Sequence, residues 1–121
     1  MTLEQSLMEI KVVKVYSRQG ILPIPVRFVR LLQWEKFQRL FIIKQDDSLI
    51  ITDEKTFTTI KLNENMKIFK ATLTGSNNTK KLFNHRIMLS HVLLSMLNYQ
   101  DNTHVSLTLE DGNKIVVRRF T

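Results

Sequence analysis

Five cations crowd the first quarter of the chain: Lys11, Lys14, Arg18, Arg27 and Arg30. Such side chains suit phosphate, because each contact releases condensed counterions, and an arginine also reads the guanine edge through two parallel bonds. Arg27 and Arg30 stand three apart, hence side by side on any helix that carries them. Lys80, Lys81 and Arg86 form a second cationic group, counted with the first as a nucleic-acid-binding set. The competing reading is a solvated face of a basic protein, since lysine and arginine are mostly exposed anyway.

Other chemistries find less to work with. Tyr16, Phe28, Trp34, Phe37 and Phe41 lie among the cations, where aromatic rings can stack unpaired bases. Trp34 and Phe41 are expected in the core instead. His85, His91 and His104 lack the close pairing of a zinc site, so no metal is expected. There is no glycine-rich phosphate loop, no nucleophile elbow and no carboxylate pair set in apolar sequence. Asp46-Asp47 and Glu110-Asp111 fit hairpin turns. No enzyme, no catalytic residue, no cofactor and no small-molecule substrate is expected.

The elements that must hold the cations are short and β-rich. Strands are predicted over 10–17, 21–24, 39–44, 49–52, 56–62, 66–74, 105–109 and 114–118, where β-branched and aromatic residues concentrate. Asp111-Gly112 supplies the positive φ of a tight turn. Helices are predicted over 25–33 and 88–98. Pro25 suits a first helical position, where its missing N–H is not needed. In the second helix Met88, Val92, Ser95, Met96 and Tyr99 share one side and leucines cover much of the rest, so it is expected to be largely buried.

A shift of 65 positions lays Ile24 on Leu89, Leu31 on Met96, Trp34 on Tyr99, Leu40 on Val105, Ile42 on Leu107 and Asp46 on Asp111. The segment 24–51 is expected to map onto 89–116 without a gap. Upstream, 10–17 matches 67–74, and the connection 75–85 is about eight residues longer than its counterpart. Two β-α-β-β units are the economical explanation: a lead-in over 1–9, a first unit over 10–62 and a second over 63–121, packed as one domain.

Composition sets the bounds. Net charge is +7, with 18 lysines and arginines against 11 acids, which favours an anionic partner. Residues 1–60 hold nine basic and seven acidic side chains, and 61–121 hold nine and four. The chain has no cysteine, so disulfides and thiol chemistry are excluded. No signal-like segment opens it and no apolar run nears the ~20 residues of a membrane span. A cytoplasmic location and no membrane partner are expected.

The first unit resembles the swapped-hairpin transcription factors of the AbrB, MazE and SpoVT type. The matching residues are Gly20, Pro25, Arg30 and Leu32 at that family's spacing, followed by the hairpin Leu40-Phe41-Ile42-Ile43, Asp46-Asp47, Leu49-Ile50-Ile51. The resemblance implies units that exchange hairpins to close one pseudo-barrel. A chain with two units, as in the MraZ-like branch, completes that barrel alone. It also implies DNA contacts from Lys11, Lys14, Arg18, Arg27 and Arg30. The second unit lacks the motif: His85 replaces the glycine, Ser90 replaces Pro25 and Ser95 replaces Arg30.

The fold is thus read as β-rich α+β, a small pseudo-barrel of two swapped-hairpin-like units with little room for a pocket. The expected function is a bacterial AbrB-like DNA-binding regulator of gene expression, with Met88, Val92 and Met96 offering a homodimer contact. Two alternatives stay open. One is a small PUA-like RNA-binding regulator acting after transcription. The other is a non-enzymatic interaction protein, antitoxin-like or accessory, whose basic face meets an acidic partner.

Overall fold

The computed structural model describes residues 10–15, 20–75, 85–99 and 103–120. Eight antiparallel strands carry the fold: β1 (Ile10–Lys14), β2 (Ile21–Pro23), β3 (Arg39–Gln45), β4 (Ser48–Asp53), β5 (Lys67–Thr74), β6 (Arg86–Met88), β7 (His104–Glu110) and β8 (Lys114–Arg119). Among the described residues three short helices accompany them: α1 (Val26–Leu32), α2 (Glu54–Phe57) and α3 (His91–Leu97). The strand order is β1-β7-β8-β4-β3-β5-β6-β2, and the end strands β1 and β2 lie against each other. The sheet is therefore a nearly closed barrel, which removes most of the edge that an open sheet exposes. No helix among the described residues is long and apolar enough to cross a membrane.

Exchanging β1 with β5, β2 with β6, β3 with β7 and β4 with β8 returns the same ring. The barrel is a pseudo-two-fold object, and its units trade strands. β1 pairs with β7 of the other unit, β5 with β3, β4 with β8 and β2 with β6. Leu22 and Ile87 are equivalent positions and pair with each other, so the pseudo-axis passes between them. At the other end it passes through the pair Ile50 and Val116.

Register corrects two details of the expected repeat. Val15 N–H donates to Thr103 O at 2.8 Å and Leu73 N–H to Gln38 O at 2.9 Å, which makes Val15 and Leu73 equivalent. The upstream match is thus displaced by one residue from the expected one. Seven positions separate Val15 from Leu22 and fourteen separate Leu73 from Ile87, so the longer connection exceeds its counterpart by seven. The downstream match also has a gap. Gln45 pairs with Ser48 across a two-residue turn, whereas Glu110 pairs with Lys114 across three residues. The extra residue keeps inward positions in step, so Leu49 and Ile51 correspond to Ile115 and Val117, all fully buried.

Local chemistry explains the helices. Pro25 is the residue capping α1, one position earlier than expected, with φ −59° and ψ 138°. Its carbonyl accepts from Phe28 N–H at 3.0 Å and Val29 N–H at 3.3 Å. In the second unit Ser90 takes this place, and its Oγ accepts from Leu93 N–H at 3.1 Å, satisfying an orphan donor of the first turn. The helix predicted over 88–98 is thus shorter, and its first residue, Met88, belongs to β6. The strand predicted over 56–62 is absent. Asp53 instead caps α2, its carboxylate accepting from Thr56 N–H at 2.8 Å, and the cap overrides the β-propensity of the threonines.

The core draws on both units: Val15, Leu22, Phe28, Leu32 and Trp34 meet Leu73, Ile87, Leu93, Leu97 and Tyr99. Amphipathic helices α1 and α3 each lay three residues into it, Phe28, Val29 and Leu32 in one and Leu93, Leu94 and Leu97 in the other. Both end in a left-handed residue, Gln33 at φ 59° and Asn98 at φ 56°.

Candidate nucleic-acid interface

Leu22 and Ile87 point into the barrel, so their neighbours on the two-stranded ribbon β2–β6 face outward. Ile21 pairs with Met88, and Pro23 pairs with Arg86. Pro23 lies two residues before the cap of α1, which puts exposed Arg86 at the α1 end of the ribbon. Arg27 and Arg30 are exposed on α1 itself, opposite its buried face. Three of the predicted cations therefore share one region of the surface.

The others divide. Lys14 ends β1 opposite His104 and is half-buried. Lys11 pairs with Leu107 on the same ladder. Arg18, Lys80 and Lys81 lie outside the described residues, as does Tyr16. Phe28 and Trp34 are buried and unavailable for stacking. Phe37 is exposed, with Lys36 Nζ 5.2 Å from its ring centre. Phe41, expected in the core, faces outward from β3 and stacks on Phe57 of α2 with ring centres 4.1 Å apart.

The pseudo-two-fold gives the cationic region an apolar twin. Arg27 corresponds to Val92, Arg30 to Ser95 and Leu31 to Met96. Burial of the second helix is only partial: Leu89, Leu93, Leu94 and Leu97 are enclosed, whereas Met88, Val92 and Met96 are 48%, 58% and 46% exposed. No lysine, arginine, aspartate or glutamate occurs in His91–Leu97. One end of the ribbon is thus basic and the other apolar.

Cations of the last hairpin are engaged within the protein. Lys114 Nζ lies 2.7 Å from Asp111 Oδ2, and Arg118 Nη1 lies 3.5 Å from Glu110 Oε2. Arg119 donates from Nη2 to Leu97 O at 2.7 Å, at the C-terminus of α3, with its guanidinium 5.1 Å from the Tyr99 ring centre. Cations suit that helix end, where the dipole is negative. Burial pushes the Tyr99 phenol above its usual pKa; Arg119 opposes this and the Asp47 carboxylate adds to it. By contrast, Arg30 and Arg86 form no ion pair among the described residues.

No protein-family model, curated protein or solved structure matches this chain.

Sequence reasoning missed a second outward surface. Leu40 and Ile42 of β3 point inward, so Arg39 and Phe41 point outward beside Thr72 and Lys70 of β5. With Glu54 of α2 they line an open groove of about 440 Å³. The alternation Arg39-Leu40-Phe41-Ile42 was the available signal for the β3 half of it.

Proposed function

We propose that this chain is a nucleic-acid-binding regulator of gene expression, of the AbrB-like kind, that docks through the α1 end of the β2–β6 ribbon. The observation carrying this reading is the contrast between the cations of the last hairpin and those around α1. Lys114, Arg118 and Arg119 are occupied by internal partners, while Arg30 and Arg86 stand exposed without ion pairs among the described residues, on the same region as Arg27. Arg27 and Arg30 would meet phosphates or base edges from the helix, and Arg86 would hold the backbone from the ribbon.

Binding of the full chain to duplex DNA is expected to weaken steeply as salt rises, because phosphate contacts release counterions. Arg27→Ala and Arg30→Ala should each lose on the order of 1–3 kcal/mol if they read bases. Wild-type affinity in the double variant, or affinity indifferent to salt, would refute the assignment. A labelled duplex competed by unlabelled RNA at fixed salt separates a DNA regulator from the PUA-like RNA-binding reading. The RNA reading has one observation in its favour: Val92, Ser95 and Met96 replace the α1 pattern, so one chain lacks the symmetric contact that a palindrome matches.

A homodimer would restore that symmetry by presenting two copies of α1. A chain of charge +7 repels its own kind, and the outward face of α3 with Met88 is a described helix surface without lysine or arginine on which two copies could meet. Val92→Lys with Met96→Lys should shift a dimeric wild type to monomer in sedimentation equilibrium, with little change in monomer stability because both positions are exposed. A wild type that is monomeric at all concentrations, or a variant that still dimerises, would remove this contact.

A further inference from the structure

The groove on the outer face of β3 and β5 is lined by no residue of the ribbon or of α1. Its register sets Arg39 opposite Thr72 and Phe41 opposite Lys70, so the two cations are diagonal neighbours on one sheet face. Such neighbours lie roughly 7–8 Å apart, within joint reach of a single phosphate. Like charges this close raise the local positive potential unless a partner neutralises them. Neither has one: Arg39, Lys70 and Glu54 form no ion pair among the described residues. Phe41 is held in place by its stack on Phe57 and lines the same space. A volume of about 440 Å³ suits a small organic ligand.

The lining specifies chemistry. Arg39 and Lys70 call for an anion, and arginine favours the forked geometry of phosphate. Thr72 adds a hydroxyl that donates or accepts. Phe41 offers an apolar surface for a flat ring. Glu54, in the same lining, repels a second anion and accepts from N–H donors, so the ligand must carry such donors away from its phosphate. A nucleotide unites the three features. We infer that the β3–β5 groove is a nucleotide-phosphate site, with Arg39 and Lys70 on the phosphate, Phe41 against the base and Glu54 accepting from base N–H groups. The nucleotide comes either free in solution or as an unpaired residue of a strand. The inference does not rest on the α1 reading, because none of its residues belongs to that surface.

The test is titration of the isotope-labelled full chain with AMP, with adenosine and with a short oligoadenylate, following the amides of Arg39, Phe41, Lys70 and Thr72. Saturable shifts with AMP identify a free nucleotide, and saturable shifts with the oligonucleotide alone identify an unpaired residue of a strand. Adenosine should bind at least about tenfold more weakly than AMP where AMP binds, since it lacks the charged partner. Arg39→Ala and Lys70→Ala should each weaken binding by about tenfold or more. Both side chains are exposed, so the variants should keep the wild-type spectrum outside the groove; Arg39→Gln and Lys70→Gln serve as milder replacements should either alanine variant fail to fold. Arg27→Ala/Arg30→Ala should leave the groove shifts intact, which separates failure here from failure of the duplex interface. Absence of shifts with all three ligands, or shifts that survive loss of both groove cations, would overturn the site.

Discussion

Leu22→Ala and Ile87→Ala should each lower the unfolding free energy by about 2–5 kcal/mol, the range seen when a fully buried aliphatic side chain is truncated. Both residues have no exposed surface, and they pair with each other where the pseudo-axis enters the barrel. β2 and β6 are three residues each, so this single central pair carries most of the inward packing of the ribbon. The two losses should not add, because the side chains share one space. Urea unfolding of both single variants and the double variant, at unchanged m-value, measures this. Losses below about 1 kcal/mol at both positions would mean that the ribbon closes the barrel without supporting it.

Gly20→Ala should be of similar size for a different reason. Gly20 has φ +70°, and a Cβ built there lies 2.6 Å from the carbonyl oxygen of Leu89. Gly20 O also accepts from Leu89 N–H at 2.6 Å, so the contact is with backbone that cannot swing aside. A left-handed conformation costs an ordinary residue roughly 1–2 kcal/mol, and overpacking adds about 1–3 kcal/mol. A loss of about 2–5 kcal/mol in the same urea assay is therefore expected. The mirrored bond, Ile24 N–H to His85 O at 3.0 Å, comes from a residue without positive φ, so His85→Ala has no such backbone penalty. Equal effects at positions 20 and 85 would contradict this account.

The architecture was legible because its signals are local and occur twice. The turn at Asp111-Gly112, the proline before α1 and the alternation of Leu40 and Ile42 each act within a few residues, and the shift of 65 repeats them in order. What escaped depends on relations that no short window contains. The one-residue gap at Asp111-Gly112-Asn113 emerges only when inward positions of β8 are aligned with those of β4. The strand expected over 56–62 gave way to the end of a short helix and the turn after it, because one aspartate bonds one amide, which composition does not weigh. Met88, Val92 and Met96 carry two expectations, a largely buried helix and a homodimer contact, because an apolar side chain reads the same whether it faces a core or solvent. The groove was invisible for a related reason. Arg39 and Lys70 meet only once β3 and β5, which belong to different units, fix their register.

The trading of strands has a consequence for how the molecule came to be and how it assembles. A ring that survives exchange of its halves could equally be closed by two separate polypeptides, each supplying one unit. Joining the units in one chain replaces an encounter between molecules with a tethered closure, whose effective concentration is set by linker length rather than by abundance. Barrel stability then ceases to depend on dilution. Once one gene encodes both halves, each can diverge without altering the other, as the arginines of one helix and their absence from its twin illustrate.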